Sequence, residues 1–209
     1  MPVIYLAPNT KTGMYSTAST RTLPLVTYSM STIYVNSGDV VTGYENGSTF
    51  IMGTGKENIT AWLTNTTIYG GSGNDTVKQT APMGGLTFIG GSGTNYVDGG
   101  SNSTLYGGSG HSTLIGGDYS HLESQSTYSS TASVLFEMSK LTDHIQIGSF
   151  VHGKDKLALH ITAAQERDLL SKQQYLGPTT GVTFHGSVVP NLSFISAVSS
   201  ITAADIKLI

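Results

Sequence analysis

The chain has no cysteine, which excludes disulfide staples and thiolate metal sites together. Charge is scarce: 11% of its 209 residues are Asp, Glu, Lys or Arg, against a usual ~25%. The net charge is −3 and no Lys/Arg run occurs, so the basic footprint of a nucleic-acid binder is missing. No apolar run is long enough to span a bilayer. The opening stretch from Met1 to Gly13 lacks the basic start and apolar core of a cleavable signal peptide. Catalytic signatures are missing too. There is no H-E-x-x-H zinc helix and no G-x-S-x-G elbow. The histidines form no i, i+4 helical pair and read as surface or cap residues, while Asp143 and Asp155 read as turn residues rather than an acid/base pair. A non-catalytic protein is expected. A surface so poor in charge favours self-association or a neutral, hydroxyl-rich partner.

Glycine is abundant, at 26 residues, and a regular apolar period runs through the middle of the chain. Ile33, Val41, Phe50, Ile59, Ile68, Val77, Phe88, Val97, Leu105 and Leu114 follow one another about nine residues apart. Every second one sits in similar text: STIY, STFI, TTIY, LTFI, STLY. So short a repeat cannot bury its own apolar face, so coils must stack into a solenoid. Two short strands and two turns give a coil of about 18 residues, with Ile68 inward and Thr67 and Tyr69 outward in a typical strand. Burial of each ladder residue is worth roughly 1.5–3 kcal/mol. The Gly70-Gly71 pair predicts a turn with positive φ. The expected fold is all-β, a parallel β-roll or β-solenoid with a β-rich C-terminal cap containing one short helix.

The predicted organisation is an N-terminal cap or donated segment over residues 1–30, a solenoid over 31–118 and a C-terminal cap over 119–209. The longer step before Phe88 holds Ala81-Pro82-Met83, read as a bulging loop. Within the cap, residues 133–136 and 144–147 read as strands, and 181–186 as a hairpin strand. Thr162-Ala163-Ala164-Gln165 reads as a capping box opening a helix to Lys172.

Stacking also predicts the outer faces. On one sheet Thr32, Thr49, Thr67, Thr87 and Thr104 form a threonine rank, flanked by Tyr34, Ile51, Tyr69, Ile89 and Tyr106. A flat rank of this kind is a candidate ligand or assembly face. The opposite sheet, with Asn58/Thr60, Thr76/Lys78, Tyr96/Asp98 and Thr113/Ile115, is more mixed.

One turn carries a metal-binding pattern. Residues 70–78, GGSGNDTVK, match the nonapeptide G-G-x-G-x-D-x-U-x at every fixed position. The next turns degenerate, with Asn95, Ser112 and Glu57 at the Asp position. The pattern resembles the calcium-binding repeat of RTX proteins. That resemblance implies one or two Ca²⁺ ions between the Asp75 and Asn95 turns, held by Gly70, Ser72, Asn74, Asp75, Gly90, Ser92 and Asn95. Without calcium, the same turns would close through Ser, Asn and Thr hydrogen bonds. Residues 147–159, IGSFVHGKDKLAL, are similar to the I-x-x-F-x-x-G-x-D-x-L-x-L segment that follows the repeats in RTX proteins, serralysin-type proteases among them. The last residues, Asp205 to Ile209, resemble the acidic-then-apolar tail of type I secretion substrates. This likeness covers roughly residues 60–209 and implies export by type I secretion machinery to the outside or surface of a bacterial cell. The expected function is a secreted structural protein that self-associates into a homo-oligomer or filament, matrix or surface layer. A polysaccharide- or ice-binding module, or a monomeric calcium-responsive protein, are the alternatives.

Overall fold

The computed structural model describes residues 22–29 (backbone only), 32–35, 37–81, 84–124, 133–138, 140–177, 181–195 and 199–209. Most of the expected N-terminal cap and the Pro82-Met83 tip of the expected bulge lie outside the described residues. The fold is a parallel β-solenoid with coils of about 18 residues and one short helix near the C-terminus.

One sheet holds β1 (Thr22–Ser29), β3 (Val40–Asn46), β5 (Asn58–Thr64), β7 (Asn74–Gln79), β9 (Thr94–Gly100), β11 (His111–Gly116), β13 (Ser133–Met138), β15 (Lys156–Leu159) and β19 (Ile206–Leu208), in that order. All its neighbours pair parallel. The facing sheet runs β2 (Thr32–Val35), β4 (Thr49–Met52), β6 (Thr67–Tyr69), β8 (Thr87–Ile89), β10 (Thr104–Tyr106), β12 (Ser120–Glu123), β14 (Ile145–Gly148) and β18 (Leu192–Ile195). It ends in two antiparallel two-residue strands, β17 (Val182–Thr183) and β16 (Gln174–Tyr175).

The periodic residues form two ladders in register. Ile33, Phe50, Ile68, Phe88 and Leu105 align coil on coil, as do Val41, Ile59, Val77, Val97 and Leu114. All ten are 0–1% exposed. The ladders do not stop where the nine-residue period stops. The first continues through Leu122, Ile147 and Phe194, and the second through Phe136, Leu157 and Ile206. On the N-terminal side, β1 adds a parallel strand to β3. Longer connections dilute the period while the strand register persists, because the ladder hydrogen bonds and the inward side chain fix register locally.

The turns correct one expectation. None of the glycines in the three GGSG turns lies in the left-handed region. Their role is close backbone stacking: a Cβ on Gly91 would fall 1.8 Å from the Gly71 carbonyl oxygen, and one on Gly73 1.8 Å from that of Gly55. Successive turns are hydrogen-bonded through these atoms, with Ser72 N donating to Gly53 O, Asn74 N to Gly55 O and Thr94 N to Gly73 O.

The C-terminal end is covered. Helix α1 (Ala163–Ser171) starts at Thr162, whose side chain accepts from Gln165 N while the Gln165 side chain accepts from Thr162 N. This is the reciprocal cap expected from the sequence, and Lys172 is the residue that ends the helix. Leu169 of α1 is buried in the common core. Phe184 packs edge-on against Phe194, the last rung of the first ladder, with ring centroids 6.0 Å apart. The motif that followed the repeats has a packing logic: Phe150 contacts Phe136 and Phe194, and buried Asp155 accepts from Val134 N and Val151 N at 2.9 Å each.

Two substitutions separate core packing from backbone stacking. Phe88→Ala is expected to cost about 3–5 kcal/mol, as for a buried phenylalanine. Gly91→Ala is expected to cost at least as much, because the clashing atom is backbone. Gly153→Ala meets nothing within 4 Å at its φ of +79°, so it should cost only about 1–2 kcal/mol. Urea unfolding of the three variants checks the order.

Candidate functional sites

Three regions of the coil carry chemistry: the glycine-turn edge and the two outer faces. At the turn edge the predicted metal residues divide. Ser72, Asn74 and Ser92 are exposed, whereas Asp75 and Asn95 are buried in register on adjacent coils. Gly70 and Gly90 supply their N–H groups to Ile89 O and Tyr106 O on the following coil. Asp75 closes its own turn, with Oδ2 accepting from Gly71 N at 3.2 Å.

Asp75 belongs to a buried polar column on five successive coils: Asp39, Glu57, Asp75, Asn95 and Ser112. Asp39 was missed in the sequence because a single glycine, Gly38, precedes it in place of the G-G-x-G frame. The available signal was its place two residues before the ladder residue Val41, as Asp75 stands before Val77. Glu57 Oε1 accepts from Gly55 N at 3.3 Å. Glu57 Oε2, Asp75 Oδ1 and Asn95 Oδ1 are buried without a hydrogen-bond partner. Burial, then the adjacent Asp75 carboxyl, push the Glu57 pKa up to about 8, with Asp39 adding a smaller push. The Glu57 carboxyl is therefore held toward its protonated form beside Asp75.

Calcium needs six to eight oxygen ligands; at this edge Glu57 Oε2, Asp75 Oδ1 and Asn95 Oδ1 are buried side-chain oxygens with no hydrogen-bond partner, and a carbonyl that accepts one hydrogen bond keeps a second lone pair. The carbonyls of Gly53, Gly55 and Gly73 already accept N–H groups from the next coil, and one Asp75 oxygen is engaged by Gly71. Beyond Asp75 the column turns neutral at Asn95 and Ser112. Among the described residues no three acidic or histidine side chains converge as a metal site. The five described histidines with a polar side-chain contact meet single partners or pairs: His111 with Ser133, His121 with Glu123 and Gln146, His144 with Asp118, His152 with Asp205 and His160 with Glu137.

The predicted ranks are real alignments. Thr32, Thr49, Thr67, Thr87 and Thr104 stand in register, as do Tyr34, Ile51, Tyr69, Ile89 and Tyr106. Neighbours along each rank are one strand spacing apart, ~4.8 Å. Nine of the ten are half-buried against one another and Tyr69 is 43% exposed. No charge interrupts this face over five coils. It ends at β12, where His121 and Glu123 continue the two ranks. Glu123 is held there by His121 and by Ser149. His121 is shifted toward its charged form mainly by its bond to Glu123, and the Glu123 carboxyl is held low by His121 and Ser149 against its own burial.

The opposite face holds residues that the sequence reading passed over. Tyr44 and Trp62 lie in register on β3 and β5, 39% and 43% exposed, with ring centroids 6.1 Å apart and planes inclined by 54°. Strand alternation was the signal: Ile59, Ala61 and Leu63 are buried, so Trp62 must face out.

No family model matches the chain, and neither a curated protein nor a solved structure matches it. Among the described residues no helix is long and apolar enough to cross a membrane.

The Glu57 proton has a stability consequence. Its folded pKa lies above the ordinary value of 4.5, so the native state binds more protons between pH 4.5 and about 8. Stability is therefore full below pH 4.5 and falls as pH rises through 8. Burial raises Glu45 in the same direction. Glu57→Gln is expected to flatten the fall in thermal midpoint between pH 5 and 9, and to be more stable than the wild type at pH 9 by on the order of a few kcal/mol. Thermal unfolding across that range, read by circular dichroism, tests it.

Proposed function

We propose that this protein is a non-catalytic extracellular building block that self-associates side by side through the Thr/Tyr/Ile face of its β2–β10 sheet. The observation that carries the reading is the uncharged double rank, in unbroken register over five coils. A flat sheet face without charge is complementary to a second copy of itself, since nothing on it repels a like surface. The C-terminal end adds support. α1 and the antiparallel β16–β17 pair occupy it, which blocks coil-on-coil stacking at that end and favours lateral contact. The likeness to RTX repeats and to type I secretion tails fits assembly after export, and the tail residues Ile206–Leu208 are strand β19 against β15 in the folded chain.

Ice binding is the weaker use of this face. A regular hydroxyl lattice is broken by the neighbouring rank, in which tyrosine and isoleucine alternate.

Charge placed on the face is the direct test. Thr67→Lys with Tyr69→Glu leaves the buried Ile68 untouched and is expected to abolish assembly, leaving a folded monomer. The wild type should show concentration-dependent mass growth by light scattering and ordered sheets or bundles in negative stain. A wild type that stays monomeric at millimolar concentration would sink the proposal.

A further inference from the structure

We infer that Tyr44 and Trp62 form a binding subsite for a neutral pyranose ring of a polysaccharide, on the sheet opposite the proposed assembly face. The two rings have no core role. They stand outward on β3 and β5 while the alternate residues Val41, Ile59, Ala61 and Leu63 fill the interior. Exposing one large aromatic is ordinary. Two side by side, 39% and 43% exposed and 6.1 Å apart, offer a paired apolar surface that water solvates poorly. The 54° inclination makes that surface a shallow angled seat rather than a flat plate, fitted to a puckered ring.

The surroundings specify the ligand class. Along the same outward face lie Thr42 and Thr60 on one side of the rings, and Asn46 and Thr64 on the other. None is charged. Just beyond, the Asn65 amide reaches Asn46 Oδ1 at 3.4 Å, and Asn65 is held at a φ of +47°. Aromatic faces attract the C–H-rich face of a sugar ring through their quadrupole, and neighbouring amides and hydroxyls exchange hydrogen bonds with its hydroxyl groups. A few fixed polar groups around an apolar seat is the usual composition of a small-ligand site. A protein partner fits less well: a stable interface needs about 800 Å² per partner, far more than two half-exposed rings provide. An anionic sugar would find no cation among these six residues; the nearest in register is Lys78, beside Thr60 on β7 and outside the β3–β5 pair that carries the rings.

Trp62 is the only tryptophan in the chain, so its fluorescence reports this site directly. Purified full-length protein is titrated with three soluble neutral glycans: a mixed-linkage β-glucan, a galactomannan and a dextran. The expected result is a saturable change in Trp62 emission with at least one of them. Tyr44→Ala should weaken that binding tenfold or more, and Tyr44→Phe, which keeps the ring, should restore it. Both variants should unfold at the wild-type temperature, since Tyr44 is outside the core. Trp62→Ala, read by retardation in a gel containing the same glycan, should lose the retardation. No emission change with any of the three glycans overturns the proposal. So does a change that Tyr44→Ala leaves intact. An emission change on concentrating the protein alone would give the seat to a second copy, and also overturns it. Because the assembly face lies on the other sheet, Thr67→Lys with Tyr69→Glu should leave the glycan titration unchanged. The two readings therefore fail separately.

Discussion

Everything in this molecule depends on how closely one coil's backbone can approach the next. Parallel strands settle ~4.8 Å apart, and the turns between them must keep that spacing if both sheets are to stay in register. At the GGSG turns there is no space for even one extra carbon between successive carbonyls and α-carbons. Glycine is required there by exclusion rather than by unusual dihedral angles. Once the turns stack, the inward residues are placed one above another without further instruction, and the two ladders follow.

That constraint makes the structure one-dimensional. Each coil contacts only the coil before and the coil after, so properties are inherited along columns. The inward columns are apolar. One column at the turn edge is polar and changes in character along the axis, from Asp39, Glu57 and Asp75 to Asn95 and Ser112. Carboxyls stacked this closely resist being ionised together, and the raised pKa of Glu57 follows from that. The outward columns divide the labour: an uncharged lattice on one sheet, and a local aromatic seat on the other.

Much of this was legible in the sequence because the repeat is local. The ten ladder residues, the coil length, the two ranks and the Thr162 cap could be read from spacing alone, since each depends on near neighbours or on exact recurrence. What escaped depended on something spacing does not encode. The role of the Gly70-Gly71 pair was misread, because positive φ and lack of space for a Cβ leave the same letter in the sequence. Asp39 escaped because its turn carries Gly38 alone rather than the G-G-x-G frame, although its register is the same. The continuation of both ladders through Phe136, Leu157 and Phe194 was hidden by connections of unequal length. Tyr44 and Trp62 needed only the alternation rule, but attention to the inward set obscured the outward one. The calcium pattern at residues 70–78 is complete as text. Its neighbours on the adjacent coils are Glu57 and Asn95, so the aspartate is not repeated from coil to coil.

The stacked glycines also divide the ribbon into a fixed edge and an editable one. Where the GGSG turns stand, nothing can be inserted or enlarged without prising two coils apart. The extra residues between Gln79 and Thr87 are taken up on the other edge, and β7, β8 and β9 still meet their neighbours in register. Among the coils closed by GGSG turns (past them the glycine edge lengthens, as between β12 and β13), variation is therefore channelled to one side of the rod. New loops can accumulate there, coil by coil, without disturbing either sheet.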